Sequence, residues 1–171
     1  MHTAVAKTLV LGLGNDILTD DAIGILVARE VRRRVAHLAD VDVRETMEMG
    51  LALLDFIVGY ETLILIDAIQ TGDAAPGHIH EITQQQLNLL PDRTPHFLGI
   101  AETLQLGWRL GLAMPSRLRI FAVEVADPFT FGLEMTAALQ QALPIAVERI
   151  VAEVNLSGEN SWRGAPCLVA F

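Results

Sequence analysis

Asp20 and Asp21 stand side by side a short way beyond the apolar run Leu9-Val10-Leu11-Gly12-Leu13-Gly14, and Asn15 and Asp16 crowd the same segment. A further carboxylate, Asp67, directly follows Thr62-Leu63-Ile64-Leu65-Ile66. His96 lies between Pro95 and Phe97, ahead of a helical pattern. Two carboxylates and an imidazole make a set that suits a borderline divalent metal with open coordination positions. Each residue also has an ordinary explanation. An acidic side chain in a helix's first turn gains about 0.3–1 kcal/mol from the helix dipole. An aspartate after a strand often forms a turn, and a lone histidine in a loop is often a surface or capping group.

Other residues compete for the same chemistry. His78 and His80 are two apart on a strand pattern, so they share a face, while Glu81 lies on the opposite one. That arrangement reads better as a polar, solvent-facing strand edge than as a metal site. Cys167 is the one cysteine, set in an aperiodic tail with no histidine near it in sequence, which gives little support to a nucleophile. Gly12 and Gly14 could open a dinucleotide-binding turn, but Ile17 stands where the third glycine should be. Asp20 and Asp21 would also set negative charge against a pyrophosphate.

Positioning these groups requires strands that end near one another. Thr8–Leu13 and 62–66 are short, almost uniformly apolar runs, as expected of strands buried on both faces. From 20 to about 38 the apolar residues Ile23, Leu26, Val27, Val31, Val35 and Leu38 change to helical spacing, with Thr19 or Asp20 as N-cap. Further strands are predicted over 41–44, 78–82 and 118–125. Helices are predicted over 51–58, over 97–113 with a stop at Pro115, and over 133–154 with a kink or break at Pro144. Segment 84–90 is ambiguous, 91–95 reads as loop, and the tail from about 156 has no period. Strands alternating with helices predict one three-layer α/β domain over 1–171, its largely parallel central sheet flanked by helices on both faces. Were 8–13 and 62–66 parallel neighbours, Asp21 and Asp67 would meet at one sheet edge, in a solvent-reachable cleft.

Composition narrows the function. Acidic residues outnumber basic ones 21 to 12, for a net charge of −9. That field repels a nucleic-acid backbone. The basic run Arg32-Arg33-Arg34 falls where a helix C-terminus would welcome it. With a single cysteine no intrachain disulfide can form. No apolar run approaches the roughly 20 residues a bilayer span needs, so a cytoplasmic protein without membrane insertion is expected.

Gly14-Asn15 with Asp20-Asp21 and Gly24, Leu65-Ile66-Asp67-Ala68 with Pro76-Gly77, and Pro95-His96 with Leu98-Gly99 come in the order that the maturation endopeptidases of nickel-iron hydrogenases use. The chain resembles that family from its first strand through its last helix. The resemblance implies that Asp21, Asp67 and His96 form a catalytic, metal-binding triad; some members carry glutamate at the position of Asp21. It implies an endopeptidase that removes a C-terminal extension from the hydrogenase large-subunit precursor once nickel is inserted. The nickel is then carried by the substrate, with no organic cofactor, and zinc or cadmium could serve as a surrogate. Gly14, Asn15, Asp20, Glu48 and Gly50 are expected to shape the site or contact substrate. In 45–50, where the family is glycine-rich, only Gly50 keeps the pattern. A non-catalytic nickel-sensing or chaperone module of the same fold is the alternative.

Overall fold

The computed structural model describes residues 8–87 and 95–158, with positions 95–98 and 158 described by their backbone only. Five strands form one sheet: β1 (Thr8–Leu13), β2 (Val41–Thr46), β3 (Thr62–Ile69), β4 (Ile79–Thr83) and β5 (Arg117–Glu124). Their order is β2-β1-β3-β5-β4, all pairs parallel except β4 with β5. The predicted three-layer architecture with a largely parallel sheet is therefore what forms. β1 and β3 are parallel neighbours, with Gly12 level with Ile66.

The pleat divides the core in two. Ile64, Ile66 and Ala68 of β3 pack with Val10 on one face, against Val27 and Val31 of α1 (Ile23–Arg34) and Leu139, Ala146 and Ile150 of α5 (Ala137–Gly158). Leu63, Leu65 and Ile69 alternate to the other face. There they meet Leu53, Ile57 of α2 (Leu54–Ile57), Leu87 of α3 (Gln84–Leu87), and Ile100 and Leu104 of α4 (Pro95–Arg109). Each such fully buried aliphatic side chain contributes about 1.5–3 kcal/mol of burial free energy. Among the described residues no helix is long and apolar enough to cross a membrane.

Several boundaries differ from those predicted, each for a tertiary reason. Helix α1 stops at Arg34, and Val35 to Leu38 forms a turn closed by Leu38 N–H on Val35 O at 2.9 Å, still packed on the core. Its N-terminus is not capped by Thr19 or Asp20. A single 3-10 turn, Asp20–Ala22, precedes it, and both side chains are engaged elsewhere. β2 runs on to Thr46 and β3 to Ile69, because pairing with neighbouring strands outweighs the turn preference of Asp67. Helix α5 begins at Ala137, since the N–H and hydroxyl of Thr136 are committed to Asp20. Pro144 does not divide α5. It sits on the exposed side, as does Gln140, whose carbonyl loses its helical partner there. α5 also remains helical through Gly158, past the predicted start of the aperiodic tail. Segment 91–94, Cys167 and the rest of that tail lie outside the described residues.

Candidate active site

The order in which strands are added switches sides between the parallel neighbours β1 and β3: β1 leads through α1 to β2 on one side, while β3 continues the sheet on the other. The carboxyl ends of two such strands form the crevice where open α/β sheets bind ligands. Two glycines let α1 start directly over it. A Cβ on Gly24 would stand 2.1 Å from Leu13 O and 2.7 Å from Ile66 O, and one on Gly12 would stand 2.3 Å from Gly24 O. The glycines thus serve helix–sheet contact and not a pyrophosphate turn. Gly14 adopts φ +139°, and a Cβ there would stand 2.1 Å from Asp21 O.

The two adjacent aspartates part company at this point. Asp20 has no exposed surface. Its Oδ2 accepts the N–H groups of Ala126 at 3.1 Å and Asp127 at 2.9 Å and the Thr136 hydroxyl at 3.0 Å, while Oδ1 accepts Thr136 N–H at 2.8 Å. Thr19 adds its hydroxyl to Asp127 O. Asp20 therefore fastens segment 126–136 to the turn after β1 and, fully buried, is out of reach of a substrate. Asp21 is partly exposed, with its Oδ2 3.8 Å from the position a Gly14 Cβ would take.

Asp67 does not lie in an open cleft as expected. It is inside β3, level with Ala122 of β5, and 2% exposed. By the alternation of β3 its side chain is on the face that α4 covers. Its Oδ1 accepts Ala68 N–H at 2.8 Å. Its Oδ2 is buried without a hydrogen-bond partner among the described residues. Burial pushes this carboxyl up to about 7; the Ala68 N–H opposes the rise, and the charge of Asp21 adds to it. Asp21 and Asp67 thus feel each other electrostatically at one sheet end. His96 opens α4. The far end of α4 is tied to the beginning of β3, through Gly59 N–H on Ala113 O at 2.8 Å and Ser116 N–H on Glu61 O at 3.0 Å. A helix rising about 1.5 Å per residue from there carries its first turn toward the carboxyl ends of the strands. The His96 side chain lies outside the described residues. Among the described residues no group of three or more His, Cys, Asp or Glu side chains is placed to hold a metal ion.

The other expected rim residues lie in the segments that follow β1 and β2. Asn15 Oδ1 accepts Ile17 N–H at 3.2 Å and shapes the loop after β1. Glu48 is exposed beyond β2, its N–H on Thr46 Oγ1 at 3.0 Å, and Gly50 turns at φ +62° with open space around it. Arg29 spans Asp16 at 2.8 Å and Glu45 at 2.9 Å, joining the loop after β1 to the end of β2.

His78 and His80 do share a face, their rings in edge contact at 4.7 Å, and Glu81 turns away to Arg149 at 3.1 Å. What the sequence reading missed is Glu124, which closes β5 at 1% exposure. It accepts Thr71 N–H at 2.8 Å, the Thr71 hydroxyl at 2.8 Å and Gly72 N–H at 2.9 Å, with His80 Nε2 at 3.0 Å. Burial alone would raise this carboxyl, but the Gly72 N–H, the Thr71 hydroxyl, His80 and the Thr71 N–H together hold it below its usual range. Its sequence signal was the one that exposed Asp67, an acidic residue closing an apolar strand.

Comparison with known proteins gives a consistent result. A family model described as hydrogenase maturation protease matches residues 25–153, a span that contains Asp67 and His96 and begins just after Asp21. The hydrogenase 2 maturation protease of Escherichia coli (strain K12) is 27% identical over 154 residues, which cover 89% of this chain and 93% of the relative. The hydrogenase expression/formation protein HupD of Bradyrhizobium diazoefficiens is 30% identical over 166 residues, 94% of this chain and 84% of the relative. The solved structure of the hydrogenase maturating endopeptidase HybD from E. coli superposes with a TM-score of 0.72 at 25% identity, covering 89% of this chain and 94% of that one. A doubly wound α/β domain with paired carboxylates at its switch point, matched in this way, defines a protease-class hydrolase. The chain belongs to the hydrogenase maturation protease family.

Proposed function

We propose that this protein is an endopeptidase that removes the C-terminal extension of a nickel-loaded hydrogenase large-subunit precursor, in a cytoplasmic step. Asp21, Asp67 and His96 address the nickel the precursor carries. The observation that carries this reading is the unpartnered, buried Oδ2 of Asp67 beside the charge of Asp21. A second carboxylate raises the cost of ionising the first, and a buried oxygen with no donor leaves that cost uncompensated. A cation delivered by the substrate offsets both. An oxygen pair joined by an imidazole is a donor set that fits nickel.

The nickel, when the precursor brings it, supplies a Lewis acid beside the scissile bond. This chain's own groups do the rest. Where nickel positions the precursor without taking Asp67 as a ligand, this carboxyl, which burial pushes up to about 7, is suited to take a proton from the water that attacks the peptide carbonyl. Asp21, more exposed, faces the incoming substrate. Asp20 holds segment 126–136 against the turn that carries Asp21, and no serine or cysteine nucleophile is required.

The test uses purified protein with nickel-loaded and nickel-free precursor, and mass spectrometry of the large subunit. The expected result is a shortened subunit from the loaded precursor only. Asp21→Glu retains more activity than Asp21→Ala, because the carboxylate oxygen is kept. Binding of the loaded precursor without any cleavage would contradict the reading and mark a non-catalytic nickel-sensing or chaperone module.

A further inference from the structure

The segment after β1 and the segment after β5 meet in a short antiparallel ribbon. Thr19 N–H donates to Thr130 O at 2.9 Å, Gly132 N–H donates to Ile17 O at 3.0 Å, and Leu18 pairs with Phe131. Beneath it Asp20 holds the amides of 126, 127 and 136, and Asp127 Oδ1 accepts Phe129 N–H at 3.2 Å and Thr130 N–H at 3.0 Å. The backbone is pinned, yet its large apolar side chains are uncovered: Ile17 is 50% exposed, Phe129 76%, Phe131 78% and Leu133 87%. Single exposed apolar residues are ordinary; a cluster on a fastened ribbon beside a site marks an interaction surface.

Charge selects the occupant. The same end of the sheet carries Asp16, Asp21, Glu48, Asp127 and Glu134. Arg29 reaches it already paired with Asp16 and Glu45. A second copy of this chain, itself at −9, would bring like charge to this face, and anionic lipid or nucleic acid would be repelled in the same way.

We propose that the ribbon around Phe129 and Phe131 docks an extended polypeptide segment of the precursor, one bearing apolar side chains flanked by basic ones, and so delivers it to Asp21 and Asp67. This rests on the reading of the chain as a precursor endopeptidase. The ribbon acts in binding and not in bond cleavage.

The experiment compares steady-state cleavage and direct precursor affinity for the wild type, Phe129→Ser/Phe131→Ser, Glu134→Lys and Leu110→Ser. Leu110 is 63% exposed beyond α4, at the opposite end of the sheet, and controls for loss of surface apolar area. The double variant is expected to raise KM about tenfold and weaken affinity equally, with kcat nearly unchanged, as for truncated interface anchors. Glu134→Lys raises KM in the same sense, and Leu110→Ser leaves KM and kcat alone. Unaltered KM and affinity in the double variant, in a fold verified by circular dichroism, would overturn the docking. So would a wild-type dimer in sedimentation that the double variant abolishes. A wild type that binds the precursor but does not cut it strikes the proposed activity, while its affinity series still decides the docking.

Discussion

Asp67 sits between Ile66 and Ala68 and level with Ala122, almost wholly buried, and its ionisation is costly there. In the unfolded chain it titrates near the ordinary aspartate value, about 4; in the fold it is pushed up to about 7. Between those values the folded state holds a proton that the unfolded state has lost, so this residue withdraws stability as pH rises through that window. Asp67→Asn removes the charge and keeps the shape. Its melting temperature relative to wild type is expected to rise more at pH 8 than at pH 5, by thermal unfolding across pH. An equal change at both pH values would contradict the buried, raised carboxyl. The candidate carboxylates were visible in sequence as acidic residues following apolar runs, although Asp67 lies inside its strand and not at its end. The division of labour between Asp20 and Asp21 was not, because every partner of Asp20 lies in 126–136, far along the chain. Glu124 escaped for a similar reason: its meaning depends on Thr71 and Gly72 arriving from the loop after β3 and His80 from β4.

At the scale of elements, the crossover from β1 to α1 is the piece that makes the site. Gly12 and Gly24 bring the helix onto the sheet, and the 3-10 turn between strand and helix directs Asp20 inward and Asp21 outward. Asp20→Ala leaves three backbone donors and the Thr136 hydroxyl without their acceptor. The expected cost is about 3 kcal/mol, from the penalty for unsatisfied polar groups. Hydrogen exchange should show fast amides at Ala126, Asp127 and Thr136 while β1 and β3 stay protected. Uniform loss of protection across the sheet would show instead that Asp20 supports the whole fold. Central strands were read well because apolar runs buried on both faces look alike in any context. Strand β3 was read short and α5 was started early, since pairing with β5 in one case and capture of Thr136 by Asp20 in the other set those limits.

For the whole molecule, topology does what no single motif does. Strand order β2-β1-β3-β5-β4 gathers the loops after β1, β2, β3 and β5 at one end of the sheet, and α4 brings position 96 toward that end. An acidic rim, an uncovered apolar ribbon, the partly exposed Asp21 and the buried Asp67 thereby share one end of the sheet. The three-layer architecture was evident from alternating strand and helix patterns; the ribbon was not, because its two halves are joined only in the folded chain. We propose that Asp21, Asp67 and His96 act together on a nickel-bearing precursor. Processing of that precursor by Asp67→Asn/His96→Ala, with circular dichroism as fold control, tests it most directly. Cleavage slowed by about 100-fold or more is expected, as when acid–base groups are removed; cleavage at the wild-type rate by the folded double variant would contradict joint action of the three residues.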